Sequence, residues 1–183
     1  MKCYHYTNSE SYNSMRTGHH YGKKGLIPIK RFVKLGIGGP RFPKKGYDGI
    51  IEGLLEPEPI SWTNNSDYPF MFGYLMHDIC RRKEVMLLSF DILESDDAYI
   101  VDMSKFEDVL YMESKGFGKP TDNHFASASR KFYYSKRKAL EYNGNYKTPQ
   151  FAIWTPIEFE RLNIEWIKPT EQVWKRVLDN KWY

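Results

Sequence analysis

Cysteine is scarce in this chain of 183 residues: Cys3 and Cys80 are the only two. Two thiols so far apart make neither a disulfide framework nor a zinc site, so a reducing compartment is expected. Long apolar runs are also missing, and no stretch reaches membrane-spanning length. Met1-Lys2-Cys3-Tyr4-His5 is not followed by the apolar core of a secretion signal. These absences predict a soluble, cytoplasmic protein with no membrane partner. Metal-ligand spacing is lacking as well. His19-His20 sits in a basic loop and His77-Asp78 lies far off in sequence, so no metal site is expected. Cys80 follows helix-forming residues and reads as a buried thiol rather than a nucleophile.

Acidic residues are absent over one long stretch. None occurs between Glu10 and Asp48, whereas Arg16, Lys23, Lys24, Lys30, Arg31, Lys34, Arg41, Lys44 and Lys45 all fall there. The net charge of +4 understates this unevenness. A second basic cluster, Arg130, Lys131, Lys136, Arg137 and Lys138, surrounds Phe132-Tyr133-Tyr134. Cations interleaved with aromatics suit single-stranded DNA or RNA, because the charges meet phosphates while rings stack on unpaired bases. The pyrophosphate of a dinucleotide would draw on the same charge. A solvated basic face without a partner is the competing reading.

Aromatics, at 16% of the chain, are plentiful enough to exclude low-complexity disorder. The length allows one domain over residues 1–183 with a full core. Asn8 or Ser9 can cap a helix from Glu10 to Arg16 that stops at Gly18. Gly36-Ile37-Gly38-Gly39-Pro40 is a loop without a dinucleotide fingerprint, since Pro40 and Pro43 oppose the helix such a fingerprint requires. Glu56-Pro57-Glu58-Pro59 leads into a short strand, Ile60 to Thr63, and Pro69 opens a helix over Phe70 to Arg82. Strands are expected over Glu84 to Leu93, Ala98 to Asp102, Gln150 to Trp154 and Leu162 to Ile167. Helices are expected over Asn123 to Tyr142 and from Pro169 to Asn180. Strands and helices mix without a βαβ rhythm, which predicts an α+β fold.

His5-Tyr6-Thr7 on the first strand, the capped helix after it and the Gly25-Leu26 exit resemble the opening of the ADP-ribosyltransferase fold. The order of later pieces extends the resemblance over most of the chain. Ser61-Trp62-Thr63 stands where that family has a Ser-x-Thr strand. An aromatic helix around Tyr68, Phe72 and Tyr74 follows, and the loop Asn143 to Pro149 then feeds the strand at Gln150. The tail Ile153 to Glu160 resembles that of members that modify DNA or RNA. The resemblance implies a split mixed or antiparallel sheet with flanking helices, and NAD as substrate. It implies that His5, Tyr6, Thr7, Ser61 and Thr63 contact the cofactor and that Tyr68 or Tyr74 stacks on nicotinamide. Arg16, Lys30, Arg31, Arg41, Arg130 and Lys131 are the candidates for nucleic-acid contact on their charge, and Arg16, Arg31 or Arg41 would clamp pyrophosphate or the polynucleotide. Toxins of this kind, in toxin–antitoxin or phage-defence systems, imply a neutralising antitoxin protein.

One departure bears on catalysis. The family glutamate follows a polar residue by two positions, and on Gln150-Phe151-Ala152 that position is Ala152. Displacing nicotinamide builds oxocarbenium character on the ribose, which a carboxylate stabilises and alanine cannot. Three readings stand. Ala152 is an engineered inactivating substitution, or a natural pseudoenzyme's residue, or the register places Gln150, Glu158 or Glu160 in the site. Glu158 and Glu160 otherwise read as turn carboxylates. The expected function is mono-ADP-ribosylation of a nucleic-acid base. The alternatives are a protein acceptor, a non-catalytic nucleic-acid-binding module, and NAD-dependent removal of an RNA 2′-phosphate.

Overall fold

Glu84–Asp91 forms a strand whose inner residues, Val85 to Phe90, are all buried. Side chains on both faces of this strand are therefore covered, those pointing to either side alike, as a nearly continuous apolar run requires. The computed structural model describes residues 1–19, 22–28, 51–55, 83–106, 109, 112, 116–119, 121–147 and 149–173. In chain order its elements are β1 (Lys2–Thr7), α1 (Ser9–Thr17), β2 (Ile51–Leu54), β3 (Glu84–Asp91), β4 (Ala98–Asp102), α2 (Asp122–Tyr134), β5 (Arg137–Lys138), β6 (Pro149–Ile153) and β7 (Asn163–Pro169). Antiparallel strands with flanking helices make this an α+β fold.

The chain divides into two compact units, each drawn from separated stretches. Unit 1 comprises Met1–Ile27, Gly53–Leu93 and Pro156–Tyr183. Its strand order is β2-β1-β3-β7, with every pairing antiparallel. β1 pairs along its whole length with β3, from Lys2 opposite Asp91 to Thr7 opposite Met86. A bulge at Leu87/Leu88 shifts the pairing of β3 with β7.

α1 forms for local reasons. The Asn8 side chain accepts a hydrogen bond from the Ser11 N–H at 2.9 Å, and Gly18 closes the helix at φ 74°, its N–H donating to Ser14. Glu10 in the first turn and Arg16 in the last both favour the helix dipole. The exit is held as firmly. The Gly25 N–H donates to the Met15 carbonyl, and Leu26 and Ile157 exchange two backbone hydrogen bonds of 2.9 Å.

Unit 2 comprises Pro28–Glu52 and Glu94–Thr155, with strand order β5-β4-β6, again antiparallel. The helix expected over Asn123 to Tyr142 is shorter: α2 ends at Tyr134, and Arg137–Lys138 pairs with β4 instead. Ser135 explains the stop. Its hydroxyl donates to the Phe132 carbonyl at 2.6 Å and accepts the Asp102 N–H at 2.9 Å, while Tyr146 donates to its carbonyl. The chain is thereby tied to the end of β4 rather than to a further helical turn.

β2 was not expected from the sequence. The strand over Ile60 to Thr63, the helix over Phe70 to Arg82 and the loop over Gly36 to Pro40 lie outside the described residues. Residues 170–173 begin the expected C-terminal helix directly after β7, and the remainder also lies outside.

Candidate functional site

Side chains alternate between faces along a strand, which decides how the β1 candidates group. His5 and Thr7 share one face, opposite Leu88 and Met86 of β3. Tyr6 lies on the other face, where its ring meets Trp166 edge-on at a centroid distance of 5.7 Å. The His5-Tyr6-Thr7 triplet is therefore split: His5 is half-buried and Thr7 buried on one side, and Tyr6 packs on the other.

The face that carries Tyr6 also carries a polar cluster. The Lys2 ammonium lies 2.6 Å from Glu165 Oε1, and the Ser89 hydroxyl donates to the same oxygen at 2.5 Å. Hydrogen bonds from Lys2 and then Ser89 hold the Glu165 carboxyl below its ordinary value, and the Glu165 hydrogen bond raises Lys2. The Lys168 ammonium stands 4.4 Å from the Trp166 ring centroid.

In unit 2, Gln150 and Ala152 share a face of β6, opposite Val101 and Tyr99 of β4. Both are buried; Ala152 is wholly so, and Gln150 retains 5% of its surface. Beside them stands a cluster that sequence reasoning credited only to its lysines. Lys138 lies opposite Tyr99 in register, with its ammonium 4.4 Å from the Tyr99 ring centroid; that of Lys136 is 4.9 Å away. Tyr99 meets Trp154 edge-on at 5.1 Å. A hydrogen bond with Tyr99 raises the Lys138 ammonium above its ordinary value, helped by Asp97 at 3.5 Å. Tyr99 sits in an apolar strand with nothing local to mark it; only the pairing with β5 brings it within reach of two cations.

Among the nucleic-acid candidates, Arg16 ends α1 in an exposed position, and Arg130 and Lys131 are exposed on α2. Ser61, Thr63, Tyr68, Tyr74, Lys30, Arg31 and Arg41 lie outside the described residues. Glu158 and Glu160 are exposed at a single 3-10 turn, Phe159–Arg161.

Among the described residues no group of three or more His, Cys, Asp or Glu side chains could hold a metal ion, and no helix is long and apolar enough to cross a membrane. No protein-family model, curated protein or solved structure matches the chain.

Proposed function

We propose that this chain is a mono-ADP-ribosyltransferase of nucleic acid, with an ADP-ribosyltransferase-like split sheet. The observation that carries the reading is the environment of His5. It occupies β1, which has β2 on one side and β3 on the other, and is half-buried. Its strand runs directly into the Asn8-capped helix, and the Gly25-Leu26 exit is bonded to Ile157. That succession is the one through which the resemblance implies contact with NAD.

In this reading His5 and Thr7 hydrogen-bond the ribose hydroxyls next to nicotinamide. The reaction breaks the bond from ribose C1 to the nicotinamide nitrogen and forms one from C1 to a nucleobase nitrogen. Nicotinamide leaves with the bonding pair, and the base gives up its proton. Basic and aromatic side chains support a strand acceptor over a protein one: Lys136 and Lys138 bring positive charge to the Tyr99 ring, the combination suited to phosphate and base. Position 152 or 150 is where an active form would carry its carboxylate. Neither Ala152 nor Gln150 supplies a negative charge, so the chain as it stands binds NAD and transfers slowly or not at all.

The test offers labelled NAD to the parent, Ala152→Glu and Gln150→Glu, each with single-stranded DNA, RNA and a protein extract. Transfer to nucleic acid by either variant supports the proposal and identifies the register. Folded variants that neither transfer label nor bind NAD would overturn it.

A non-catalytic nucleic-acid-binding module is the second reading, favoured by the complete burial of Ala152. It requires strand binding that weakens steeply with salt and no NAD binding.

A further inference from the structure

Unit 2 contains a hollow of about 390 Å³ between the 3-10 turn Met103–Phe106 and α2. This volume falls in the range of small-ligand sites. Its floor is apolar, formed by Val109 and Ala128, both buried, with Met112 beside them. Its rim is cationic: Lys105 comes from the turn and Lys131 from α2. Lys105 is partly countered by Asp102 at 3.3 Å.

His124 adds a donor of defined position. Its Nδ1 accepts the Thr121 backbone N–H at 3.1 Å, which leaves Nε2 as the ring's donor. Phe117 adds a stacking surface. It is 73% exposed and stands between Gly116 and Gly118, which have φ of 79° and 80°. Those left-handed positions favour glycine, and the Phe117 N–H is tied to the Met112 carbonyl at 2.9 Å. The backbone thus holds residue 117 at the hollow, and its ring remains largely in water.

We propose that this hollow binds a nucleotide: the base against Phe117 and Met112, and the 5′-phosphate at Lys105, Lys131 and the His124 Nε2–H. An apolar floor alone would accept any hydrophobe. The cationic rim selects an anion, and the exposed ring beside it selects an anion joined to a flat aromatic group. Lys131 is shared with the nucleic-acid candidates, but no residue of the hollow is needed to hold NAD, so failure of NAD transfer and failure of this site are distinguishable. The same chemistry is offered by a free mononucleotide and by one unpaired nucleotide of a strand.

Calorimetric titration with uridine 5′-monophosphate, adenosine 5′-monophosphate and unphosphorylated uridine tests the site, alongside a labelled short oligouridylate followed by anisotropy. Lys131→Glu weakens binding by at least about tenfold, and Phe117→Ala by about fivefold or more. Both residues are exposed, so both variants keep the parent's circular dichroism. Lys83→Glu, an equal charge change in unit 1, leaves affinity unaltered. Oligouridylate binding tighter than mononucleotide identifies a strand as the source; equal or weaker binding identifies the free nucleotide. Three results would overturn the proposal: no binding of either class, uridine binding as tightly as its monophosphate, or affinity unchanged in Lys131→Glu and Phe117→Ala.

Discussion

Gly25 approaches Ile157 so closely that a Cβ on residue 25 would overlap the Ile157 carbonyl oxygen. The contact is a consequence of the paired hydrogen bonds between Leu26 and Ile157, which draw the two backbones together one residue later. Gly25 also has φ 106°, where a side chain is strained whatever the space. Gly25→Ala therefore meets both penalties, and a loss of about 2 kcal/mol or more is expected. Urea unfolding measures it as a lower midpoint at unchanged slope. An unchanged midpoint would mean that the Gly25-Leu26 exit contributes nothing to holding the end of α1.

The other end of the same helix gives a milder expectation. Asn8→Ala removes the acceptor for the Ser11 N–H and costs about 1 kcal/mol. Asn8→Asp keeps the acceptor and places a negative charge at the helix N-terminus, so its stability equals or exceeds the parent's at neutral pH. Thermal melts of the two variants side by side check both signs. Equal loss in both would show that the side chain acts through something other than capping.

Glu165 makes part of the stability of unit 1 depend on pH. Its carboxyl is held below the ordinary 4.5 by hydrogen bonds from Lys2 and then Ser89. A depressed carboxylate contributes stability above its unfolded value, and the contribution disappears as pH falls through the folded one. Lys2, raised above 10.5 chiefly by Glu165, contributes below that pH and loses the contribution as pH rises through its folded value. Glu165→Gln removes both. The stability difference between parent and variant is therefore expected to be flat across neutral pH and to close in acid below about 4.5 and in alkali above about 10.5. Denaturant midpoints across pH measure it. A difference that persists undiminished in acid would assign the effect to packing.

Elements with a local cause were legible in the sequence. Asn8, Gly18 and the intervening residues specify α1 by capping alone, and the apolar run after Glu84 specifies β3 by composition. β4 and β6 match within a residue because Pro149 and the turn-forming acidic residues before Ala98 bound them. The spacing of Phe125, Ala128, Phe132, Tyr133 and Leu140 predicts a longer helix than α2. What ends the helix is the Ser135 contact with Asp102, which is distant in sequence. β2 is not legible for a related reason: Gly53 weakens the strand pattern, and Tyr4, which pairs with Leu54, is remote in sequence. The candidate site divides the same way. His5 and Thr7 could be grouped from strand periodicity, whereas Tyr99 enters a basic cluster only through cross-strand pairing.

That pairing gives a measurable expectation for nucleic-acid binding. Lys136 and Lys138 both stand over Tyr99, and in the proposed interface each neutralises one phosphate while the ring meets a base. Each alanine substitution is expected to weaken binding of a short oligothymidylate and to lower the slope of log affinity against log salt by about 0.7. Tyr99→Ala should weaken binding without altering that slope, because it removes stacking and no charge. Slopes that do not change in either lysine variant would remove this cluster from the interface.

The final expectation separates the two places for a catalytic carboxylate. Ala152 is wholly buried opposite Tyr99, so Ala152→Glu must insert both volume and charge into a packed strand. A loss of about 3 kcal/mol or more at neutral pH is expected. Gln150→Glu keeps the side-chain volume and changes only the carboxamide, at a position retaining 5% of its surface. Its cost is the desolvation of one carboxylate, about 1–3 kcal/mol, and burial raises the new group's pKa. Protonation relieves that cost, so the variant regains stability as pH falls through the raised value, opposite in sign to the acid loss expected at Glu165. Denaturation across pH, with NAD absent and then present, resolves the choice. If NAD stabilises Gln150→Glu more than the parent, residue 150 contacts the substrate, and the buried alanine at 152 is a packing residue behind it. If NAD stabilises only Ala152→Glu, the carboxylate belongs at 152 despite its cost, and the parent chain is a transferase with its charge removed.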